Sequence, residues 1–183
     1  MTRDELIVLL ETPDPLAAAR LAGVAPGGVV TYSRAEPPDS WLCETDAEQS
    51  IDVHRDAHAH GTPSEAIVMY GADTPVAHTI DRLIALAQLA AETGLLRAVR
   101  PMPGNGNERR PGSWGVEDLV VIGIARHLMP PDVQVRPDWV HLGAAASQIA
   151  IAFGATDIQL SGGDETIDVE WLASAVGFRA VPR

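Results

Sequence analysis

Two arginines, a tyrosine and several carboxylates stand at or just beyond the ends of strand-like runs. Residues of these types can grip a small polar molecule. The candidates are Tyr70, Asp73, Arg100, Arg136, Ser161, Asp164 and Glu165, with Met102 and Asp138 beside them. In a parallel α/β sheet, ligands bind outside the carboxyl ends of the strands. Polar groups from four strands would meet there. The plainer reading is that each is a solvated loop residue.

Three histidines are the nearest thing to a metal set. His54 and His58 are four apart, and on a helix that spacing puts both on one face, where they can grip zinc. His60 is close by, but no clear third ligand follows. A polar helix face near a helix end, where histidine is favourable, accounts for the pair without a metal, and no metal is expected.

Two loops carry further polar groups. Ser161-Gly162-Gly163 can present backbone N–H groups as an anion nest. Asp164 and Glu165 follow directly and would repel phosphate. A neutral or cationic ligand suits that turn better, unless the carboxylates simply cap it. The segment 101–115 is longer than most connections in a compact domain. It holds Asn105, Asn107, Arg109 and Arg110, and reads equally as a lid or as plain disorder. Asn105 joins the ligand-binding candidates.

The elements that position these groups alternate. Thr2 and Glu5 have capping-box spacing before a short helix to about Glu11. Pro15 starts a second helix that ends at Gly23. Val29–Tyr32 reads as a strand, and a proline-rich break spans 35–40. Asp46–His60 reads as helix and Ala66–Tyr70 as a buried strand. Thr74 and Pro75 read as a cap and a first-turn proline for a helix with Ile80, Leu83, Ile84, Ala87 and Ala90 on one face, closed by Gly94. Leu95–Val99 is a strand, Glu117–Met129 a helix, and Val133–Val135 a short strand. Asp138 caps a helix over Trp139–Phe153. Asp157–Leu160 is the last strand and Asp168–Val176 the last helix. Trp139, Phe153 and the run Gly143-Ala144-Ala145-Ala146 read as core.

This order predicts an α/β fold, a partial (β/α) barrel of about five mostly parallel strands with right-handed crossovers. A closed barrel needs about eight strands and about 250 residues. The chain has 183 residues. It reads as a single domain, with N-terminal helices and a first strand over 1–45 and βα repeats over 46–183. Val29–Tyr32 and Asp157–Leu160 would then be open edges.

Composition narrows the function. The net charge is −12, and all 13 basic residues are arginine. An acidic surface argues against nucleic acid as a partner. No apolar run reaches the roughly 18 residues of a membrane span, and the opening residues are too acidic for a secretion signal. A cytoplasmic location is expected. Cys43 is the only cysteine, which excludes an internal disulfide and any CxxC knuckle.

Several phrases recur in order: His54-Arg55-Asp56-Ala57-His58, Met69-Tyr70-Gly71, Glu92-Thr93-Gly94, then Trp139-Val140-x-Leu142-Gly143 with Gln148, Phe153-Gly154-Ala155 and Asp157. Together they resemble the C-terminal half of the radical S-adenosylmethionine enzymes of menaquinone and deazaflavin biosynthesis. That group includes aminofutalosine synthase, dehypoxanthine futalosine cyclase and the deazaflavin synthases. The resemblance runs from about residue 50 to 170. It is fainter over Thr2–Leu21 and Val30–Arg34, and it implies that roughly three strands are missing between the two parts. It implies half of a TIM barrel, and it adds Asp157 to the ligand-binding candidates. The family carries C-x3-C-x2-C, whose three thiolates hold an iron–sulfur cluster. Here Cys43 is followed by Ala47 and Ser50 at the matching positions, so no 4Fe–4S centre is expected and intrinsic radical catalysis is not. The resemblance then leaves three readings. One is a catalytically degenerate barrel fragment that binds a small molecule or a partner protein. Another is an enzyme of altered, cluster-independent chemistry on the same face. The third is a structural subunit completing another barrel. A homodimer, or docking to a larger family member, is the expected assembly.

Overall fold

A computed structural model gives the fold and describes residues 1–45, 47–71, 74–104, 115–160 and 167–183. Helix α1 (Arg3–Glu11) has the expected capping box between Thr2 and Glu5. In α2 (Pro15–Ala22) the Asp14 side chain accepts from the N–H groups of Leu16 and Ala17, and Gly23 ends the helix in the left-handed region. There follow β1 (Val29–Ser33), β2 (Leu42–Cys43), α3 (Ile51–Ala59), β3 (Ser64–Tyr70), α4 (Val76–Thr93), β4 (Leu96–Pro103), α5 (Val116–Leu128), β5 (Gln134–Val135), α6 (Trp139–Ala152), β6 (Asp157–Gln159), α7 (Val169–Ala175) and β7 (Arg179–Pro182). None of these helices is long and apolar enough to cross a membrane.

All strand pairs are parallel, in two ladders ordered β2-β3-β4-β5 and β6-β1-β7. One step joins the ladders. The Thr156 N–H donates to the Val135 carbonyl at 2.9 Å, and the Val135 N–H donates to Thr156 Oγ1 at 2.8 Å. The described strands therefore run in the order 2-3-4-5-6-1-7. This α/β arrangement is compatible with part of a barrel.

It also corrects the sequence reading. There are seven strands among the described residues rather than about five. β2 is too short to show alternation, and β7 ends in a proline, which is tolerated only at an edge. β1 is not an edge, since it lies between β6 and β7, whereas β6 does end its ladder. Among the described residues the ladders end at β2 and β5 and at β6 and β7, and the Thr156–Val135 step lies between β5 and β6. Helix α3 starts at Ile51 instead of Asp46, because the Glu44 and Glu48 side chains are engaged with strand β3 and the Gln49 N–H donates to Glu44. Pro75 itself is the N-cap of α4, with no side-chain cap bond from Thr74. Strand β4 runs on past Val99 to Pro103. Pro101 and Pro103 fall beyond the reach of β5, which pairs only at Ala98 and Val99.

The core lies between the strands and the helices. Ala66, Val68 and Tyr70 of β3 and Val99 of β4 pack with Ile80, Leu83 and Leu86 of α4, and with Val120, Val121 and Ile124 of α5. A smaller cluster joins Val30 and Ile158 to Trp139, Leu172 and Ala173. Phe153 packs at the margin of the main core, but Gly143, Ala144 and Ala145 are exposed. Gly143 (φ 72°) breaks α6 with a kink, so the small-residue run turns outward and does not lie against the sheet.

Gly123 marks a close approach of α2 to α5. A Cβ there would lie 2.9 Å from the Ala18 carbonyl oxygen of α2. Overpacking of this kind costs about 1–3 kcal/mol, and the better helix propensity of alanine returns at most about 1 kcal/mol. Gly123→Ala is expected to lower the urea midpoint. An unchanged midpoint would mean that α2 and α5 part freely.

Candidate functional site

The strands have a second face, turned away from α4 and α5. Register places Glu65, Ile67 and Met69 of β3 beside Ala98, Arg100 and Met102 of β4, with Gln134 and then Arg136 continuing the row at β5. Thr31 and Asp157 face each other across β1 and β6. Four of these residues carry charge, yet Glu65, Arg136 and Asp157 are each no more than 2% exposed.

Buried charges survive only when paired and hydrogen-bonded. Arg136 is the centre of the pairing here. Its Nε donates to Asp157 Oδ2 at 2.5 Å and its Nη1 to Glu65 Oε2 at 2.5 Å. Glu65 Oε1 is 3.4 Å from Arg100 Nε, and Arg100 Nη2 is 3.8 Å from Asp138 Oδ2. The Thr31 hydroxyl donates to Asp157 Oδ1, and Arg183 Nε approaches the same oxygen at 3.8 Å. Arg183 also donates to Gln159 Oε1 at 3.1 Å. One group in this network is unsatisfied. Among the described residues Arg136 Nη2 is buried with no hydrogen-bond partner, as is Gln134 Oε1.

Arg136 lines a cavity of about 80 Å³ with Arg100, Asp138, Trp139, Val140 and Gln159. It opens at the carboxyl ends of β4, β5 and β6. A water occupies about 30 Å³ of liquid volume, so the space suits a single carboxylate or the edge of a polar ring. The guanidinium donates, while the Asp138 carboxylate accepts.

The structure thus brings Arg100, Arg136 and Asp157 together, with Asp138 beside them. Tyr70 goes elsewhere. Its ring is buried on the helix side and its hydroxyl donates to Asp118 Oδ1 at 2.7 Å. Burial pushes the Tyr70 phenol well above its usual range, and the charges of Asp118 and Glu117 add to that. Burial also raises the Glu117 carboxyl, with Asp118 adding. Asp73, Asn105, Asn107, Arg109, Arg110, Ser161, Asp164 and Glu165 lie outside the described residues.

His54 and His58 are not on a polar surface. Both are buried, and each has its own partners. His54 Nε2 meets Glu44 Oε1 at 2.6 Å. His58 sits between Ser64 Oγ and Thr93 Oγ1, both at 2.8 Å. Thr93 donates its hydroxyl proton to the Leu89 carbonyl, so His58 donates from Nδ1 and accepts at Nε2. Burial holds the His58 ring below the ordinary imidazole range, with His54 and Arg97 adding. Among the described residues no three His, Cys, Asp or Glu side chains are grouped to hold a metal.

Glu44 organises a second cluster. Strand β2 pairs with β3 only at Ser64 and Glu65, so the rest of that β3 edge has no strand neighbour. Side chains take its place. Glu44 Oε2 accepts from the Ile67 N–H at 2.5 Å, and Glu48 Oε1 accepts from the Met69 N–H at 2.6 Å. Arg82 donates to the Ile67 carbonyl at 3.1 Å and Thr79 to the Met69 carbonyl at 2.8 Å. Arg82 also donates to both Glu44 oxygens, at 2.8 and 3.0 Å.

Glu65, Glu44, Arg82 and Thr31 escaped the sequence reading. Glu65 had a signal, being a charge inside an apolar run with its side chain on the face opposite Ala66 and Val68. Glu44 and Arg82 had none, because 38 residues separate them.

Cys43 tests the iron–sulfur expectation. It is half-buried, and burial raises its thiol, with the Glu65 carboxylate adding. A cluster ligand must be a thiolate, so this setting favours the wrong form. One thiol cannot do the work of three, and the residues present do not fit a cluster.

No family model matches the chain. Among curated proteins, it is 33% identical over 114 residues to the 5-amino-6-(D-ribitylamino)uracil–L-tyrosine 4-hydroxyphenyl transferase of Archaeoglobus fulgidus, covering 59% of this chain and 33% of that protein. The transferase of the same name from Methanospirillum hungatei is 30% identical over 138 residues, 71% of this chain and 36% of its own length. Aminodeoxyfutalosine synthase of Thermus thermophilus is 25% identical over 151 residues, 78% of this chain and 41% of its own length. The chain therefore spans about a third to two fifths of the length of the curated relatives it matches, and its similarity is to the deazaflavin and menaquinone biosynthesis enzymes that its motifs resemble.

Proposed function

We propose that this chain is a cluster-free relative of those biosynthetic enzymes that binds a small polar molecule at the carboxyl ends of β4, β5 and β6. The observation that carries the reading is the buried Arg136 guanidinium, with one nitrogen unpaired beside a small polar cavity. A buried donor without a partner costs about 1–3 kcal/mol, and a ligand oxygen would remove that cost. The names of the relatives point to L-tyrosine and 5-amino-6-(D-ribitylamino)uracil as first ligands to try. The carboxylate of the one, or the ring edge of the other, matches the size of the cavity. Arg100 and Arg136 hold the acceptor, Asp138 and Gln159 meet the donor, and Glu65 and Asp157 hold Arg136 in place.

A second reading, in which the chain is one subunit of a larger barrel, is favoured by the edge at β7. The N–H groups of Arg179 and Arg183 donate to the Gly28 and Tyr32 carbonyls, so the backbone of Ala180 and Pro182 faces the other side of β7. On this reading the protein is a homodimer or docks to a longer relative.

Native mass spectrometry of the purified protein tests both. The expected result is a dimer or larger species carrying a small molecule, and binding of one of the two candidates that Arg136→Lys weakens. Iron and sulfide analysis after anaerobic reconstitution is expected to find no cluster. A lone species near 19.4 kDa that binds neither candidate would overturn both readings. Close to four irons per chain surviving desalting would overturn the cluster-free assignment.

A further inference from the structure

A second ionisable group lacks a partner, at the opposite rim. Arg126 is in the last turn of α5, where a positive charge complements the helix dipole. Among the described residues its Nη1 is buried without a hydrogen-bond partner, and no carboxylate pairs with it. It lines a groove of about 450 Å³ at the amino ends of the strands, between the segment 22–29 and residues 154–156. Among the described residues no aspartate or glutamate lines this groove, although the chain as a whole carries a net charge of −12. Arg126 is the one charged residue that lines it among the described residues.

The groove is shaped around that side chain. Gly154 has φ 110°, and a Cβ there would come within 2.6 Å of Arg126 Cβ. Only glycine lets the Arg126 stem lie where it does. Gly28 is as tight, since its Cβ would meet the Phe178 ring at 2.9 Å. The Arg126 stem is thus packed against Gly154. Carbon from Val24, Pro26 and Phe178 supplies apolar wall.

We infer that this groove is a binding site for a small organic carboxylate with an apolar body, separate from the site at the carboxyl ends. One guanidinium matches one carboxylate in charge and in fork geometry. A phosphate dianion would call for a second cation, and among the described residues none lines the groove. Apolar wall favours an organic acid over an inorganic ion.

Benzoate is the probe, followed by amide NMR shifts, with benzamide and inorganic phosphate as comparisons. Benzoate is expected to give saturable shifts at Gly28, Gly154, Thr156 and Phe178. Benzamide, which lacks the charge, is expected to bind at least about tenfold more weakly, the loss of one charge-assisted contact. Arg126→Gln is expected to weaken benzoate by a similar factor, and Arg126→Lys by less. Among the described residues Arg126 has no ion-pair partner to lose, so Arg126→Gln is expected to melt only slightly below the parent protein, by the loss of its charge at the end of α5, and Arg126→Lys, which keeps the charge, serves as its folding control. The inference is overturned if benzoate leaves these signals unmoved. It is also overturned if Arg126→Gln binds benzoate as the parent does, or if phosphate binds more tightly than benzoate.

Discussion

Glu44→Gln is expected to lower stability by about 3–5 kcal/mol, the usual cost of removing one partner from a buried ion pair. Glu44 is 1% exposed and is held by Arg82, His54 and the N–H groups of Gln49 and Ile67. Glutamine removes the charge facing Arg82 and presents a donor where an acceptor is needed. For a chain of this length, each kcal/mol moves the melting temperature by about 2–4 °C, so the change is large in either heat or urea. A loss below about 1 kcal/mol would mean that water already serves the β3 edge. The carboxyl also predicts a pH effect. Burial pushes it up, but His54, the two N–H groups and Arg82 more than reverse that, and it titrates below the ordinary range. Its contribution is therefore fully present above the unfolded value of about 4.3 and is lost as pH falls through the lower folded value. In Glu44→Gln that part of the acid slope is absent.

Arg136→Met is expected to be as severe, at about 3–5 kcal/mol, because it strands Glu65 and Asp157 in the interior. The triple variant Glu65→Leu, Arg136→Met, Asp157→Leu is the informative comparison. Buried ion networks replaced by apolar groups of similar size are often neutral, or gain about 1–4 kcal/mol. The triple variant is expected to recover most of the stability of the parent in urea while losing the ligand. Arg100 remains near Asp138, and Thr31 and Arg183 reach toward solvent, so no deeply buried charge is left behind. If the triple is no more stable than Arg136→Met alone, the network contributes to folding in its own right, and its charges no longer argue for a ligand.

Much of the helical layer was legible. Asp14-Pro15 and Gly23 bracket α2, Gly94 closes α4, and the apolar spacing of Ile80 and Leu83 names the buried face. These signals act within a turn or two. The failures have a common cause. α3 starts late because Glu44 and Gln49 bond to each other near β3, and β7 is a strand only because β1 offers it an edge. His54 and His58 looked like an outward face, since nothing local shows that Glu44, Ser64 and Thr93 close around them. Of the site, Arg100 and Arg136 were named from their places in the chain, and Asp157 from the family resemblance. Glu65, which ties the two arginines together, needed the strand register.

The position of β1 has a consequence for the order of events during synthesis. β3 and β4 are neighbours in sequence and can pair early. β1 has to wait for β6, since Thr31 and Asp157 are 126 residues apart. At about 5–20 residues per second, the ribosome needs roughly 6–25 s to cover that distance. Until then Val29–Ser33 has neither neighbour, and both of its edges are open to wrong pairing. Pairing over such a span also meets its loop-closure cost before any contact rewards it. Closing β6 and β7 around β1 is therefore the late, slow step, and β1 is the segment a chaperone would be needed to shield.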